Sequence, residues 1–226
     1  MLDVPKSSVF LLVHTLTNRK YLHRDPITEK FIIGLKLFEI GNSYLENTDF
    51  FGEVKKAASR VSKECNETVH LAILEGTEVV YIFKEESTQA IRMASSIGKR
   101  LPAHTTAIGK ALLSGFDEKQ ILEMHGDIAL SKLTDYTVVD IQELIRQISD
   151  TKKNGYAFEK EESTEGISCV AAPIRNRSSN ICAAISIAVP VFRADKERMQ
   201  VLKRLVKKGA EEIEGILKNA DYDVFF

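Results

Sequence analysis

Residues 181–189 alternate between larger and smaller side chains, and this alternation constrains the fold more than any other feature of the sequence. A period of two is typical of a β-strand, whose successive side chains point to opposite faces of a sheet. Residues 167–174 follow the same rule. The sequence therefore predicts two strands that share one bulky face and one face of small side chains. The bulky side carries Ile181, Ala183, Ile185, Ile187 and Val189 with Val170, Ala172 and Ile174, and the other side carries Cys182, Ala184, Ser186 and Ala188 with Ile167, Cys169 and Ala171.

Small side chains leave room above a sheet face, and that room has two interpretations. A helix can pack closely against the face, or a ligand can bind there. The alternation does not distinguish between them, so both stay open.

Further periodic segments predict a mixed fold beyond residue 66. Apolar stripes at helical spacing and runs rich in β-branched residues are separated by turn residues such as those of 75–78. We expect strands at 69–74, 79–83, 90–94 and 156–158, and helices at 106–114, 117–124, 140–153 and 194–218. Together with the two alternating segments, these elements predict an α+β domain with a mostly antiparallel sheet flanked by helices.

The first part of the chain has a different pattern. Residues 4–18 predict a helix, and two short apolar pieces around the polar turn 25–29 predict a β-hairpin. Residues 1–36 hold six Lys or Arg against three Asp or Glu, a charge of +3, whereas residues 37–226 hold 25 against 29, a charge of −4. A basic N-terminal segment before a more acidic remainder is typical of a DNA-binding domain followed by a second domain. Chance scatter of surface charge would give the same imbalance.

Two segments are candidate parts of a ligand site. Residues 101–111 form a polar entry into an apolar helix, where Thr105 or Thr106 is the natural N-cap and the following backbone amides could hold a carboxylate. Gly109 would let another group approach the backbone closely; a capped helix with a packing glycine is the alternative. In the acidic segment 158–166, Glu159 could point into a cavity and orient a ligand hydroxyl, whereas most such segments are solvated loops.

Enzymatic chemistry is not predicted. The five His are scattered without metal-ligand spacing, and the chain has neither a phosphate-binding glycine loop nor a GxSxG motif. Cys169 with His104 could be imagined as a nucleophile and base, but a buried strand Cys is typically inert. We expect no enzyme activity, no metal and no cofactor. Three distant Cys and the lack of an apolar run long enough for a membrane span predict a cytoplasmic protein without a membrane partner.

Four ordered motifs resemble the IclR family of transcriptional regulators. Residues 4–9 and 14–16 resemble the family's recognition helix, and residues 21–35 resemble its wing and exit. Residues 102–111 are similar to its sensor-domain signature, which 166–174 and 183–186 complete. The resemblance implies a partial winged helix-turn-helix over 1–34, a linker helix over 35–48 and a GAF-like effector-binding domain over 49–226. It also implies homodimers or tetramers that bind operator DNA and respond to a small organic acid or aromatic effector.

Carried over by position, the resemblance implies an effector site in the second domain and a DNA surface in the first. Ala188 stands where some relatives have a hydrogen-bonding Ser, which makes the site more apolar. Including Thr106 from the helix start, the expected effector residues are Met93, Thr106, Ala107, Ile108, Glu159, Ile167, Cys169, Ser186 and Ala188. The expected DNA contacts are Lys6, Ser7, Ser8, Arg24 and Lys30.

One departure from the family's pattern gives an alternative. The family has two helices before the recognition helix, and this chain starts almost on that helix. The N-terminal part of the DNA-binding domain is therefore expected to be missing. On this reading the chain is an effector-sensing oligomerisation module that does not bind DNA alone.

Overall fold

The computed structural model describes residues 5–46, 49–91, 95–126 and 129–219, the side chains of 44–46 and 49–50 excepted. The chain divides into two compact units, Met1–Gly52 and Glu53–Phe226. Each is described by itself below.

The first unit contains the predicted helix and hairpin. Helix α1 (Lys6–Asn18) is followed by the antiparallel strands β1 (Leu22–Arg24) and β2 (Phe31–Ile33), and then by helix α2 (Leu35–Glu46). Asp25 fixes the hairpin turn, since its Oδ1 accepts hydrogen bonds from the backbone N–H groups of Ile27 and Thr28 at 2.9 and 2.7 Å. The predictions of a helix, a hairpin and a second helix are confirmed; the winged helix-turn-helix stays a prediction.

Helix α1 buries none of its residues. Its apolar side chains Phe10, Leu11 and Leu12 are exposed, Phe10 to 72%. Ser7 and Ser8 lie within the helix, whose N-cap position is Pro5.

The second unit is built on a six-stranded antiparallel sheet with the strand order β5-β4-β3-β8-β7-β6. The bounds are β3 (Thr68–Glu75), β4 (Glu78–Glu85), β5 (Arg100–Pro102), β6 (Ala157–Lys160), β7 (Ile167–Arg175) and β8 (Ile181–Pro190). The two segments of alternating side chains are thus neighbouring strands near the centre of the sheet, where both faces are buried.

Helices cover both faces. They are α3 (Asp49–Cys65), α4 (Ala107–Leu113), α5 (Glu118–His125), α6 (Ile141–Asn154) and α7 (Lys196–Asn219). Helix α7 packs on β7 and β8 from the bulky side, where Gly209 lies beside Ile185 and beside Val61 of α3. Helix α4 packs on the same two strands from the small side. The predicted α+β fold with helices flanking an antiparallel sheet is confirmed.

Local sequence signals explain where several helices begin and end. Asp117 and Gln120 form a reciprocal capping box at the start of α5. Asp140 caps α6, which ends at Gly155 in a left-handed conformation with φ of +73°. Glycine adopts that conformation without a steric penalty, and the helix predicted over 140–153 is confirmed with bounds shifted by one residue at each end.

The strand expected at 90–94 is wrong for the residues described. Residues 90 and 91 lie in a bend, and 92–94 fall outside the described residues. The strand that pairs with β4 is β5, whose Leu101 lies opposite Val79. Within the described part of the chain, every helix is too short or too polar to cross a bilayer.

Candidate functional site

The register of four strands brings the small side chains of the sheet onto one face. Ala188 of β8 lies opposite Thr68 of β3 on one side and opposite Cys169 of β7 on the other. Cys169 in turn lies opposite Glu159 of β6. Because paired residues share a face, these four side chains form a row across the sheet. Ser186 lies on the same face in the next row.

Helix α4 covers part of this face. Its Ala107, Ile108 and Ala111 are buried in one apolar cluster with Ala184 of β8. The first interpretation of the small side chains, close packing of a helix, is therefore correct for this part of the face. Toward β6 the row continues into the polar side chains of Cys169 and Glu159.

Gly109 is required by packing within the chain itself. A Cβ at this position would overlap the carbonyl oxygen and the Cα of Ala103. The group that approaches the helix closely is thus the backbone of the preceding 3₁₀ turn (Ala103–Thr105), so the alternative of a capped helix with a packing glycine is correct.

Thr106 is the N-cap of α4, as expected. Its Oγ1 accepts a hydrogen bond from the Gly109 N–H at 3.0 Å, so that amide is already satisfied. The backbone N–H groups of Ala107 and Ile108, the first two residues of α4, were also expected to be available to a ligand, and they lie next to the cap.

Glu159 is a buried acid in the row. Its side chain is only 1% exposed, although β6 is an edge strand whose alternate residues Phe158 and Lys160 face outward. Oε2 accepts a hydrogen bond from the backbone N–H of Glu162 at 2.9 Å, whereas Oε1 is buried without a partner among the described residues. Burial raises the pKa of Glu159 to about 7, against the lowering effects of the Cys169 thiol and the Glu162 amide.

Lys110 of α4, whose charge lowers the pKa of Glu159, forms its ion pair with another acid. Its side chain is 1% exposed, and its Nζ lies 2.5 Å from Oε1 of Glu162, whose side chain is 8% exposed. A second contact holds the same carboxylate, because the Val138 N–H donates to its Oε2 at 3.4 Å. The direct ion pair of Lys110 is therefore with Glu162, and its effect on Glu159 is a weaker electrostatic one.

A cleft of about 570 Å³ opens beside this group of charges. Glu159, Lys110 and Glu162 line it from one side. On another side the Nζ of Lys203 lies over the rings of Tyr156 and Phe158, 4.7 and 5.9 Å from their centroids. Glu159 thus belongs both to the row on the sheet and to the lining of an open cleft.

Thr68 and His70 of β3 are two further polar side chains on this sheet face that were not predicted from the sequence. His70 of β3 lies opposite Ser186, and its Nε2 lies 2.7 Å from Oγ of Ser95. Its ring centroid is 5.0 Å from that of Tyr81. Burial lowers the pKa of His70 to about 3, so the imidazole is neutral. The alternation of Thr68 and His70 with apolar residues would have indicated their shared face.

Three expected effector residues remain to be located: Ile167, Met93 and Cys169. Ile167 lies on β7 and is 9% exposed, in the same apolar cluster as Cys169. Met93 falls outside the described residues. Cys169 is buried, and burial raises the pKa of its thiol well above the usual value, which disfavours the thiolate that nucleophilic chemistry needs. No cluster of three or more possible metal ligands occurs in the described ranges of the chain.

The expected DNA contacts lie in the first unit. Lys6, Ser7 and Ser8 are exposed in the first turn of α1. Arg24 of β1 pairs with Glu29 at 3.2 Å and lies 6.0 Å from the centroid of the Phe31 ring. Lys30 is exposed at the end of the hairpin turn.

Comparison with known proteins gives concordant matches. The family described as bacterial transcriptional regulator IclR C-terminal matches residues 42–215. The HTH-type transcriptional regulator KdgR of Escherichia coli (strain K12) is 31% identical over 217 residues, which are 96% of this chain and 82% of KdgR.

Solved structures agree with these matches. The Thermotoga maritima IclR has a TM-score of 0.77 and 29% identity, covering 96% of this chain and 87% of that one. A double mutant of the inducer binding domain of the PobR transcription factor from Acinetobacter, in complex with 3-hydroxybenzoic acid, has a TM-score of 0.66 and 25% identity. That match covers 72% of this chain and 96% of the domain.

Proposed function

The chain belongs to the IclR family of bacterial transcriptional regulators, and we propose that its second unit binds a small organic acid that controls DNA binding by its first unit. Its relatives are regulators rather than enzymes. In this proposal residues 1–34 contact operator DNA, 35–48 link the two parts and 49–226 sense the effector in the cytoplasm.

The observation that carries the effector proposal is the buried carboxyl group of Glu159. An unsatisfied buried polar atom costs about 1–3 kcal/mol, and a bound ligand is one way to offset that cost. Oε1 of Glu159 is such an atom, at the end of a row of small side chains. The PobR domain in complex with 3-hydroxybenzoic acid supports an acid as the ligand class.

We place the effector against the polar part of the small face. Cys169, Ser186, Ala188 and Ile167 would contact its body, and Glu159 would bind one of its polar groups. The backbone amides of Ala107 and Ile108, next to the Thr106 cap, would contribute from α4. Met93 remains a contact proposed from the family resemblance alone.

We propose that the first unit binds DNA through Lys6, Ser7, Ser8, Arg24 and Lys30. The side chains of the α1 turn would enter the major groove, and the hairpin would contact the phosphate backbone.

Assembly into homodimers or tetramers is part of the same proposal. Helix α2 exposes the apolar side chains of Leu35, Leu37, Phe38 and Ile40, and pairing with a second copy of the chain would bury them.

DNA binding measured with and without acids tests this function. A duplex selected by the protein from a random library is labelled, and its affinity is measured by fluorescence anisotropy while small aliphatic and aromatic acids are added. We expect sequence-specific binding whose affinity changes at least several-fold with one class of acid. An affinity that no acid changes, although an acid binds the protein, would contradict the regulatory role.

A further inference from the structure

We propose that Glu159 carries a proton when the effector is bound, so that a carboxylate ligand that meets an ionised Glu159 enters the site together with one proton from solvent. This inference rests on the function proposed above. It adds a recognition rule: the site takes an acid by donating a hydrogen bond from a neutral carboxyl group rather than by pairing it with a cation.

Among the described residues, no cation forms an ion pair with Glu159. Lys110 contacts the carboxylate of Glu162 at 2.5 Å. Oε2 of Glu159 accepts a hydrogen bond from the Glu162 backbone N–H, the Cys169 thiol acts on the same carboxyl group, and Oε1 is buried without a geometric hydrogen-bond partner in the described part of the chain. A proton on Oε1 would make this atom a donor, which is what a ligand carboxylate needs.

Burial favours the neutral carboxyl of Glu159, and the groups around it act in both directions. The Cys169 thiol of β7 and the Glu162 backbone N–H lower the pKa of Glu159 by hydrogen bonding. Burial raises the pKa values of the Cys169 thiol and of the Tyr81 hydroxyl of β4, so neither adds a negative charge. The carboxylate of Glu162 is a like charge that raises the pKa of Glu159, whereas Lys110 of α4 lowers it. The net direction is upward because burial is the largest contribution.

The charged groups on the elements farther from Glu159 are paired with others. Across the cleft, Arg146 of α6 pairs with Glu143 and Asp150 at 2.7 and 2.8 Å. Lys203 of α7 lies over aromatic rings. On the same sheet face, His70 of β3 is neutral. None of these described contacts places a cation on Glu159.

Binding of one carboxylate to ionised Glu159 takes up one proton. Ionised Glu159, one proton from solvent and a carboxylate RCOO⁻ combine to a neutral carboxyl whose O–H donates to an oxygen of RCOO⁻, with no covalent bond broken in the ligand. Two carboxylates that share a site cannot both stay ionised at hydrogen-bond distance, and one of them takes up a proton. If instead an ionised Glu159 accepted a hydrogen bond from a ligand hydroxyl, a neutral Glu159 would have to release its proton on binding. The sign of the proton count thus separates the two modes.

Calorimetric titration in buffers of different ionisation enthalpy measures that count. The probes are acetate, pyruvate, gluconate, benzoate and 3-hydroxybenzoate, and the tightest binder is carried forward. We expect uptake of close to one proton per bound acid at about pH 8.5 and of close to none at about pH 5.5, with affinity falling about tenfold per pH unit above about pH 7.

Two variants complete the test. Glu159→Gln keeps a donor but cannot titrate, so uptake should vanish and the affinity should become independent of pH. Glu165→Gln, an exposed acid in the turn that follows β6, should behave as the unsubstituted protein. Binding without proton uptake at about pH 8.5, proton release, or the same uptake in Glu159→Gln would overturn the inference alone. Failure of every acid to bind at about pH 5.5, where Glu159 is neutral, would contradict the proposed function as well.

Discussion

Nζ of Lys110 lies 2.5 Å from Oε1 of Glu162, and both side chains are almost fully buried. The two residues are 52 positions apart, and their ion pair joins helix α4 to the turn that follows β6. Since the Glu162 N–H also donates to Oε2 of Glu159, the pair fixes the position of this second acid. Glu159 itself is buried, and no described residue forms an ion pair with it.

Breaking this pair should destabilise the fold strongly. Lys110→Met leaves the Glu162 carboxylate buried without a counter-ion, and such a loss costs about 3–5 kcal/mol. In Lys110→Met/Glu162→Leu no charge remains, so the free energy of unfolding should recover at least half of that loss. Urea denaturation of both variants at neutral pH measures the difference. A double variant that is no more stable than Lys110→Met would contradict the pairing.

Gly109 should not tolerate a side chain. Gly109→Ala places a methyl group against the backbone of Ala103, which cannot move aside without unwinding the 3₁₀ turn. We expect a loss of about 3 kcal/mol in the free energy of unfolding. Gly215→Ala in α7 is the matched control, because nothing lies within 4 Å of its Cβ, and it should gain about 0.5–1 kcal/mol. Equal thermal stability of the two variants would show that the close contact is misplaced.

Glu159 should make stability depend on pH in a defined direction. Its pKa rises from 4.5 in the unfolded chain to about 7 in the fold, so the folded state holds a proton that the unfolded chain has lost. The free energy of unfolding therefore falls as pH rises from 4.5 to about 7, by about 3 kcal/mol at about 1.4 kcal/mol per pH unit.

His70 has the opposite effect on the free energy of unfolding. Burial lowers its pKa from 6.5 to about 3, so the unfolded chain takes up the proton first and the free energy of unfolding decreases as pH falls below 6.5. The informative quantity is therefore the difference between the unsubstituted protein and Glu159→Gln, measured by denaturation from pH 4.5 to pH 8. A difference that stays constant over this range would mean that Glu159 ionises normally.

The first unit makes a separate prediction about DNA. Lys6 is exposed at the start of α1, and a phosphate contact by this residue releases about one counter-ion. Lys6→Ala should weaken binding to all duplexes alike and lower the slope of log K against log salt by about 0.9. Lys153→Ala, at an exposed position of α6, should leave the slope unchanged. An unaltered slope in Lys6→Ala would remove this residue from the DNA surface.

Period-two alternation predicted the faces of β7 and β8 because side-chain direction in a strand is fixed by position alone. The same rule explains why Glu159 was uncertain. The strand was expected to end at residue 158, which would place Glu159 in a loop, whereas β6 continues to Lys160 and turns Glu159 inward beside Ala157.

Tertiary contacts account for what the sequence did not predict. The partner of Lys110 lies in a distant turn, and no local pattern indicates which of the four acids in 159–165 it contacts. β5 has only three residues at the sheet edge and ends in Pro102, so neither length nor propensity marks it as a strand. The sequence left open whether Gly109 serves packing or the approach of another group, because the contact with Ala103 depends on the 3₁₀ turn before the helix.

The proposed binding of an acid over the small side chains of β7 and β8 can be tested by ligand-induced thermal stabilisation of two matched variants. Ala188→Leu fills the face that carries Cys169 and Glu159, whereas Ala183→Leu adds the same bulk to the opposite face of the same strand. At 100 times the Kd, an acid should stabilise the unsubstituted protein and Ala183→Leu by about 2.7 kcal/mol, seen as an increase in Tm. Ala188→Leu should show no increase. An equal increase in Ala188→Leu would place the acid somewhere else on the protein.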